Sequence, residues 1–462
     1  MSLDLTEKQK DIHGMFWIPG QEDKRFRGVL RLKAGKSATL ETSAFHIENT
    51  THWLADGPDA KMGETIQVSG KSMFEAMDIP SRKIIHGLDE QGKPLTLLNC
   101  YASCTRSTMA MATHRYSCQF AIFGLHLQHD DLHCHGIRLH LDHLDDWFGR
   151  RLFKHHSESE ETENGGVKIT KIAIPVPRDL TTALGLPGYA KSEFFSSWSM
   201  QPGDTEFKLS SRTYLDLQFK EAKEWEDVLQ EVHRWQWLLS LATRRPVDAR
   251  EFAFYRSETR HDFGECPMDP CYVWMKRKHS RKAPNYKRGG YDFYFTYKDV
   301  AANFPALIGK WQGIQETWAA VLHRFFAVSH RRGLWLNEEF LFLAQAVESL
   351  HRARTGDTDT KGVVDRAAKQ AYLNSPEELQ KLLGDRGLFV RQFRKTRNYW
   401  SHYGEPTPES DPEVLGDIDL YDFNQKLRWI VEFAILRELG VPDFCASKVW
   451  SPQWRGHLVN YE

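Results

Sequence analysis

Three residues near the C-terminus, in the run Arg-Asn-Tyr-Trp-Ser-His, have side chains that suit chemistry on a phosphodiester. They are Arg397, Asn398 and His402. An imidazole titrates near neutrality and serves as a general base or acid. A guanidinium supplies permanent charge and a fork of donors for phosphoryl oxygens. The amide would orient the phosphate or fix the imidazole. Together they predict RNA cleavage, in which the ribose 2′-OH attacks its own 3′-phosphate and no metal is needed.

The set contains one histidine, although such cleavage requires two proton transfers. A base must take the 2′-OH proton, and an acid must protonate the leaving 5′-oxygen. His402 alone cannot easily do both at once. Two copies of the helix facing each other across a two-fold axis would supply a second histidine and a second arginine. We therefore expect a homodimer or a higher homo-oligomer.

The segment 388–403 must be helical for these groups to share a surface. At about 100° per residue, Phe389, Phe393 and Trp400 form one apolar stripe that we expect to face a core. The opposite arc carries Arg391, Arg394, Lys395, Arg397, Asn398, Ser401 and His402. We expect its first three cations to contact RNA. As a bare pattern, an Arg and a His five residues apart is weak, because most such pairs are solvated surface.

The wider pattern predicts an α+β protein with two domains. Short strand-like runs separated by turn residues dominate the first part, at 26–32, 38–42, 115–127, 169–176 and 207–219, with one helix at 220–242. Helical periodicity then takes over, at 304–330, 334–354, 361–373, 376–383, 388–403 and 420–439. We therefore predict a β-rich domain at 1–300 and an all-α bundle of five or six helices at 301–462.

The composition limits the class of protein. The chain has 462 residues, of which 61 are basic and 62 acidic, so nucleic-acid binding must come from local patches. No apolar run reaches the roughly 18 residues that span a bilayer, and the start lacks the hydrophobic stretch of a secretory signal. We expect a cytoplasmic protein with no membrane partner. Seven cysteines, an odd number, favour reduced thiols.

The residues from about 304 to 440 resemble a HEPN domain. The run RNYWSH matches its Arg-polar-x3-His signature, and FLFLAQAVESLHR resembles the preceding helix of the ApeA-type group. The N-terminal region, with GMFWIPG and FRGVLRL, resembles the β-rich domain of that group. The resemblance implies a ribonuclease that dimerises through the signature helix and leaves 2′,3′-cyclic phosphate and 5′-hydroxyl ends. It also implies anti-phage defence by abortive infection, triggered by a phage signal.

The resemblance carries catalytic roles over to Arg397, Asn398 and His402. It also carries over Glu348, an acidic residue at the margin of its helix's apolar stripe, which would position Arg397 or His402. The alternative for Glu348 is an ordinary solvent-facing or helix-pairing glutamate. Single-stranded loops of tRNA or mRNA are the expected substrate, since a few cations fit a loop better than a duplex. By analogy, the β-rich domain would be the sensor or regulatory half.

Four other segments have less specific patterns. The basic stretch 276–288, beginning with Lys276, Arg277 and Lys278, suits single-stranded RNA or is a flexible solvated loop. The acidic run 157–164 predicts a loop. Histidines and cysteines crowd 100–156, but their spacing matches no zinc finger. We expect no bound metal or cofactor, and expect histidines of a strand such as 137–141 to lie on a wet face. Cys266 and Cys271 predict a turn.

Two other functions remain open from the sequence. One is a non-enzymatic protein in which the bundle is only a dimerisation or nucleotide-binding scaffold. Arg397 and His402, which such a scaffold does not need, favour the enzyme. The other is a nuclease that acts on a nucleotide ligand instead of a polymer.

Overall fold

The computed structural model divides the chain into two compact units. It describes residues 9–43, 82–108, 111–128, 132–150, 156–161, 167–173, 180–202, 207–256, 270–276, 293–331 and 333–451. The first unit draws on Met1–Asp142, Tyr214–Val232 and Asp248–Pro284, and the second on His143–Thr213, His233–Val247 and Asn285–Glu462. The predicted domains, 1–300 and 301–462, follow the change from strand to helix, whereas these units are not single stretches of sequence.

The strands and helices alternate little along the chain. The strands are β1 (Lys10–Trp17), β2 (Phe26–Leu32), β3 (Ala38–Ser43), β4 (Arg82–Asp89), β5 (Pro94–Thr108), β6 (Met111–Phe123), β7 (His133–Leu141), β8 (His156–Glu161), β9 (Val167–Ala173), β10 (Thr181–Ala183), β11 (Tyr189–Pro202), β12 (Phe207–Glu224), β13 (Ala249–Tyr255) and β14 (Cys271–Met275). The helices are α1 (Leu144–Phe148), α2 (Trp225–Thr243), α3 (Tyr297–Val300), α4 (Phe304–Thr317), α5 (Ala319–His330), α6 (Leu336–Thr355), α7 (Val363–Leu373), α8 (Glu377–Leu383), α9 (Arg386–His402), α10 (Asp417–Leu439) and α11 (Asp443–Ala446). The predicted class, a β-rich region followed by a helical bundle, is confirmed.

Six antiparallel strands of the first unit close into a barrel. Their order is β6-β3-β2-β1-β4-β5, and β5 pairs again with β6 to complete the ring. Successive side chains of a strand point to opposite faces. In β2, for example, Phe26, Leu30 and Leu32 are buried whereas Arg27 and Arg31 are exposed. The alternation in the sequence therefore identifies the inner face of the barrel.

Close strand packing explains a glycine in β1. Gly14 lies opposite Gly28 of β2 and Asp89 of β4. A Cβ atom on Gly14 would lie 2.3 Å from the carbonyl oxygen of Leu88. Only a residue without a side chain allows the two backbones to approach this closely. The first residue of the GMFWIPG run thus has a packing role.

The sheet of the first unit continues from β6 through β14 and β13 to β7. Strand β7 has β12 on its other side, so it is a central strand with both edges paired. His140 is buried, with 2% of its surface exposed, and so are Leu139 and Leu141, whose side chains point to the opposite face. The ring of His140 lies 5.5 Å from that of Tyr214. The prediction that the histidines of strand 137–141 lie on a wet face is wrong for His140, because this strand is packed on both faces.

The prediction that the acidic run 157–164 is a loop is also wrong for its first five residues. Residues 157–161 lie in β8, which pairs with β9 with Ser157 opposite Ile172. The prediction of a loop weighed the lack of apolar residues above the alternation of serine and glutamate, which has the period of a strand. Residues 162–164 of the predicted loop lie outside the described residues.

Helix α6 is the centre of the bundle in the second unit. It packs against α5, α7, α9 and α10. Its buried residues, Phe340, Leu343, Val347 and Leu350, recur at three- and four-residue spacing, the pattern of a helix face turned to a core. Helix α9 packs against both α6 and α7. Helices α6 and α7 therefore both hold the signature helix.

The long helix predicted for 304–330 is two helices. Helix α4 ends at Thr317, and Trp318 leaves the helical region with φ −115° and ψ 22°. The Trp318 amide donates to the Ile314 carbonyl oxygen at 2.7 Å, and α5 begins at the next residue. The apolar periodicity of the sequence continues across Trp318, so the sequence pattern does not reveal this break. The bundle of five or six predicted helices therefore has one more, with α4 to α10 as its main helices in the described residues.

None of the helices in the described residues combines the length and the apolar character that crossing a lipid bilayer requires.

Candidate active site

Helix α9 has a defined start and end. The Asp385 carboxylate caps its N-terminus by accepting the Leu388 amide at 2.8 Å, as an N-cap aspartate does. At the other end Tyr403 adopts a left-handed conformation with φ 49°. The Tyr403 amide donates to the Tyr399 carbonyl oxygen at 2.6 Å. His402 is therefore the last residue of the helix, next to a fixed turn.

The apolar face of α9 anchors the helix. Phe389 and Phe393 are buried, as predicted, and Trp400 is half-buried. The Trp400 indole nitrogen donates to the Leu415 carbonyl oxygen at 3.2 Å. Thr396, which the sequence reading missed, is fully buried, and its hydroxyl oxygen accepts the Leu415 amide at 3.0 Å. These contacts fix the rotation of α9 about its axis and so decide which residues face outward.

Asn398 and His402 face outward on successive turns of α9. Both side chains are exposed, as is Ser401. Residues four apart on a helix are surface neighbours. No hydrogen bond engages the Asn398 amide or the His402 imidazole in the part of the chain that the structure describes. The predicted amide and imidazole are therefore available to a ligand.

Arg397 is held by an acidic residue of the central helix. Its Nε donates to Oε1 of Glu348 at 3.1 Å, and the two side chains are only 26% and 13% exposed. The contact between Glu348 and Arg397 that the sequence suggested is present. Because the bond uses Nε, the two terminal nitrogens of the guanidinium remain for another partner. This geometry suits a cation that is oriented by the protein and then meets an anion.

The three cations of α9 that were predicted to bind RNA also face carboxylates. Arg391 Nε lies 2.8 Å from Glu413, and Lys395 Nζ lies 2.6 Å from Asp411 and 2.7 Å from Glu413. Hydrogen bonds to Asp411 and then Glu413 raise the pKa of Lys395. Arg394 lies 3.1 Å from Asp365 of α7. These cations are oriented and partly neutralised by acids that the sequence reading did not single out.

The signal for two of these acids is visible in the sequence. Asp411 and Glu413 belong to the run Glu-Pro-Thr-Pro-Glu-Ser-Asp-Pro-Glu at 405–413, directly after the signature helix. Prolines and acids in a short connection predict a loop with its charges close to the helix it leaves. Asp365 gives no comparable signal, because its contact depends on how α7 packs.

The remaining predicted sites are only partly visible. Lys276 is exposed at the end of β14, whereas Arg277 and Lys278 lie outside the described residues. Cys271 begins β14 and is buried, and Cys266 lies outside the described residues. Within the described ranges no group of three or more His, Cys, Asp or Glu side chains is placed to hold a metal ion.

The fold and the site together define a β-rich protein with a helical domain that presents arginine, asparagine and histidine on one surface. Residues 11–311 match the family model described as ApeA N-terminal domain 1. Residues 341–444 match the model described as Apea-like HEPN. The chain therefore belongs to the ApeA family and carries an ApeA-like HEPN domain. HEPN domains are generally ribonucleases, which places the chain with a nuclease class. No curated protein and no solved structure matches the chain.

Proposed function

We propose that the chain is a metal-independent endoribonuclease that acts in bacterial anti-phage defence. One observation carries the proposal: exposed Asn398 and His402 lie on the surface of α9 beside Arg397, which Glu348 holds by its Nε. The arrangement supplies a proton-transfer group, a hydrogen-bonding amide and an oriented cation in one place. These are the groups that cleavage by the RNA's own 2′-OH requires.

The reaction divides naturally among these side chains. His402 takes the proton of the 2′-OH, whose oxygen forms a bond to the adjacent phosphorus. The bond from phosphorus to the 5′-oxygen breaks, and an acid returns a proton to that oxygen. Arg397 donates to the phosphoryl oxygens, where negative charge develops. Asn398 positions the phosphate. The products are a 2′,3′-cyclic phosphate and a 5′-hydroxyl.

The second proton transfer calls for a second chain. The His402 of a second copy would act as the acid while the first acts as the base, in a two-fold arrangement of the signature helices. His402 and Asn398 are exposed at the end of α9, which leaves this surface accessible to another copy. The proposed active form is a homodimer or a higher oligomer.

The proposed substrate is a single-stranded loop of host RNA, in tRNA or mRNA. Unstacked bases and a flexible backbone allow the 2′-OH to align with its phosphate, which a duplex prevents. Cleavage would stop translation in the infected cell and so limit the phage. The β-rich region would respond to a phage-encoded trigger and release the nuclease.

A His402→Ala variant tests the proposal. We expect it to lose cleavage by at least ~100-fold, because general acid–base catalysis contributes about that much or more. Growth inhibition and protection against plaque formation should disappear with it. Ser401→Ala is the matched control, since Ser401 is an exposed neighbour on the same helix end. Protection and RNA integrity unchanged in His402→Ala would refute the enzyme.

Metal independence has its own test. Cleavage by the purified wild type should persist in excess EDTA, because the nucleophile is the ribose hydroxyl and the charge is neutralised by Arg397. Loss of cleavage in EDTA, restored by a divalent cation, would contradict the mechanism while leaving a nuclease in place.

A non-catalytic dimerisation scaffold is the second candidate. The ion pairs of Arg391, Arg394 and Lys395 favour it, since these cations are already compensated within the chain. The scaffold predicts that His402→Ala retains every function of the wild type, so the same variant separates the two.

A further inference from the structure

A second group of cations lies at the C-terminal ends of two neighbouring helices of the bundle. Arg354 lies in the last turn of α6, and Arg437 lies in the last turn of α10. Both line one cleft whose third wall is α7. None of its lining residues belongs to the proposed catalytic set.

Neither guanidinium is compensated by an ion pair. In the described part of the chain, no carboxylate lies within ion-pair distance of Arg354 or Arg437, and the residues that line the cleft include no Asp or Glu. Arg354 lies over the ring of Trp318, 5.1 Å from its centroid, which orients the cation without neutralising it. Burial lowers the pKa of Arg354. The charge of Glu438 opposes this effect, and the charge of Arg437 adds to it.

The polar floor of the cleft is also incompletely satisfied. His351 is only 8% exposed, and its Nε2 lies 3.0 Å from Asp357. Its Nδ1 is buried and has no hydrogen-bond partner among the described residues. A buried ring nitrogen without a partner costs free energy unless a ligand or water reaches it. Beside it, Gln370 Nε2 donates to the Asn374 Oδ1 at 2.9 Å, which leaves the Asn374 amide nitrogen to donate into the cleft.

The helix ends do not cancel the two cations. A helix C-terminus carries roughly half a negative charge, so two ends contribute about one unit against the two guanidiniums. Part of that is already satisfied, since the Gly356 amide donates to the Arg352 carbonyl oxygen at 2.8 Å and the Gly440 amide to the Arg437 carbonyl oxygen at 3.0 Å. The helix ends therefore offset only part of the charge of the two guanidiniums.

We propose that this cleft binds a small phosphate monoester. A phosphate dianion compensates both guanidiniums and accepts their charge-assisted hydrogen bonds, with the Asn374 amide as a further donor. The organic part of the ester lies against the apolar wall formed by Leu350, Ala371 and Ile430. This wall gives an ester contacts that the free ion lacks, so we expect an ester to bind more tightly than inorganic phosphate.

Calorimetric titration of the full-length protein tests the site. The probes are inorganic phosphate and phenyl phosphate, each at ionic strength matched with sodium chloride. We expect saturable binding of phenyl phosphate at one site per chain, tighter than that of inorganic phosphate because the ring contacts the apolar wall. The double variant Arg354→Gln/Arg437→Gln should weaken binding at least tenfold. Arg352→Gln removes a charge from the same last turn of α6 without touching the cleft, so its affinity should stay within twofold of the wild type.

Three results would overturn the proposal. They are no saturable binding of either probe by the wild type, unchanged affinity in the double variant, and equal affinity for the two probes, which would exclude the ester. Should circular dichroism show that the double variant is unfolded, Arg437→Gln alone decides, because it changes one exposed side chain. That variant should lose at least threefold in affinity, and no loss contradicts the site. Binding by wild type does not involve RNA cleavage, so its failure leaves the proposed nuclease untouched.

Discussion

The exposed arc of α9 and the cleft between α6 and α10 both carry arginines, but their surroundings differ. On α9 each cation predicted to serve RNA faces a carboxylate, as with Arg397 and Glu348 or Lys395 and Asp411. In the cleft, Arg354 and Arg437 face none among the described residues. The two regions therefore carry similar cations, which are paired with carboxylates on α9 but with no described carboxylate in the cleft.

The difference separates positioned cations from available ones. Exposed ion pairs contribute only about 0–1 kcal/mol to stability, so the pairs on α9 are not needed to hold the bundle together. Their effect is to orient the side chains and reduce their net charge. The Glu348 carboxylate, at 13% exposure, is too enclosed to move away easily. Asp411 and Glu413 belong to the loop after α9 and can be displaced by phosphates. We infer that the first pair is permanent and the second is competitive.

The largest effect is expected for Glu348→Gln. Loss of the carboxylate frees Arg397 to leave its position, and a misplacement of about 1 Å costs roughly 100-fold in rate. A residue that acts only through Arg397 affects kcat more than KM, so kcat for cleavage of a loop substrate should fall by roughly that factor while KM stays within about threefold. Glu348→Asp should recover part of the rate, since it keeps the charge. Single-turnover cleavage assays measure both.

The matched control for this pair is Glu377→Gln, which breaks an ion pair with Lys381 on α8. It should leave kcat unchanged. A rise in KM with normal kcat in Glu348→Gln would place the residue in substrate binding and contradict the positioning role. Unchanged kcat in a folded Glu348→Gln protein would show that Arg397 needs no support.

The apolar half of α9 could be read from local periodicity, whereas the pairing of Glu348 with Arg397 was suggested only by the family resemblance. Phe389 and Phe393 follow helical spacing, which is a local property of the chain. Glu348 meets Arg397 across 49 residues, and such contacts depend on how helices pack. Thr396 is a polar residue, yet it is fully buried. Its hydroxyl oxygen accepts a hydrogen bond from the Leu415 amide in the loop after the helix. Helical periodicity does not predict this contact with the loop.

The β-rich part shows the same limit. The alternation in β2 and β3 located these strands within a residue of their ends. The closure of the barrel by β5 and β6 is a pairing between whole strands, for which alternation gives no signal. His140 was misplaced for a related reason: whether a strand face meets water depends on what packs against it, and here both faces of the strand are covered, since Leu139, His140 and Leu141 are all buried.

The second prediction tests the competitive pairs. In Asp411→Asn/Glu413→Gln, Lys395 and Arg391 lose their acidic partners. We expect affinity for a single-stranded RNA loop to rise several-fold at low salt. The dependence of log affinity on log salt should steepen by about 0.7 for each further phosphate that the protein neutralises, so by about 1.4 for two. Fluorescence anisotropy across a salt series measures both.

Glu409→Gln is the control for charge alone. It removes an acidic charge from the same loop, where the pKa of Glu409 is lowered by a hydrogen bond with Thr407, but it frees no cation of α9. Its salt slope should match the wild type. Equal slopes in the control and in the double variant would mean that the paired cations never meet phosphate, which would favour the scaffold over the nuclease.

The smallest effect concerns an ion pair beside the cleft. Arg366 Nε donates to Asp357 at 2.8 Å, and this bond, followed by that from His351, lowers the pKa of Asp357 from 3.8 to about 2. A carboxyl group with a depressed pKa contributes stability above its unfolded pKa, and that contribution is lost as the pH falls through the folded value. The Tm of Arg366→Gln should therefore lie slightly below that of the wild type at neutral pH, and the gap should close as the pH is lowered from 3.8 towards 2. Lys361→Gln, which removes a nearby charge outside any ion pair of the described residues, should show no such convergence. A gap that persists at the lowest pH would mean that Arg366 acts through packing, and that its pairing with Asp357 does not hold the wall of the cleft.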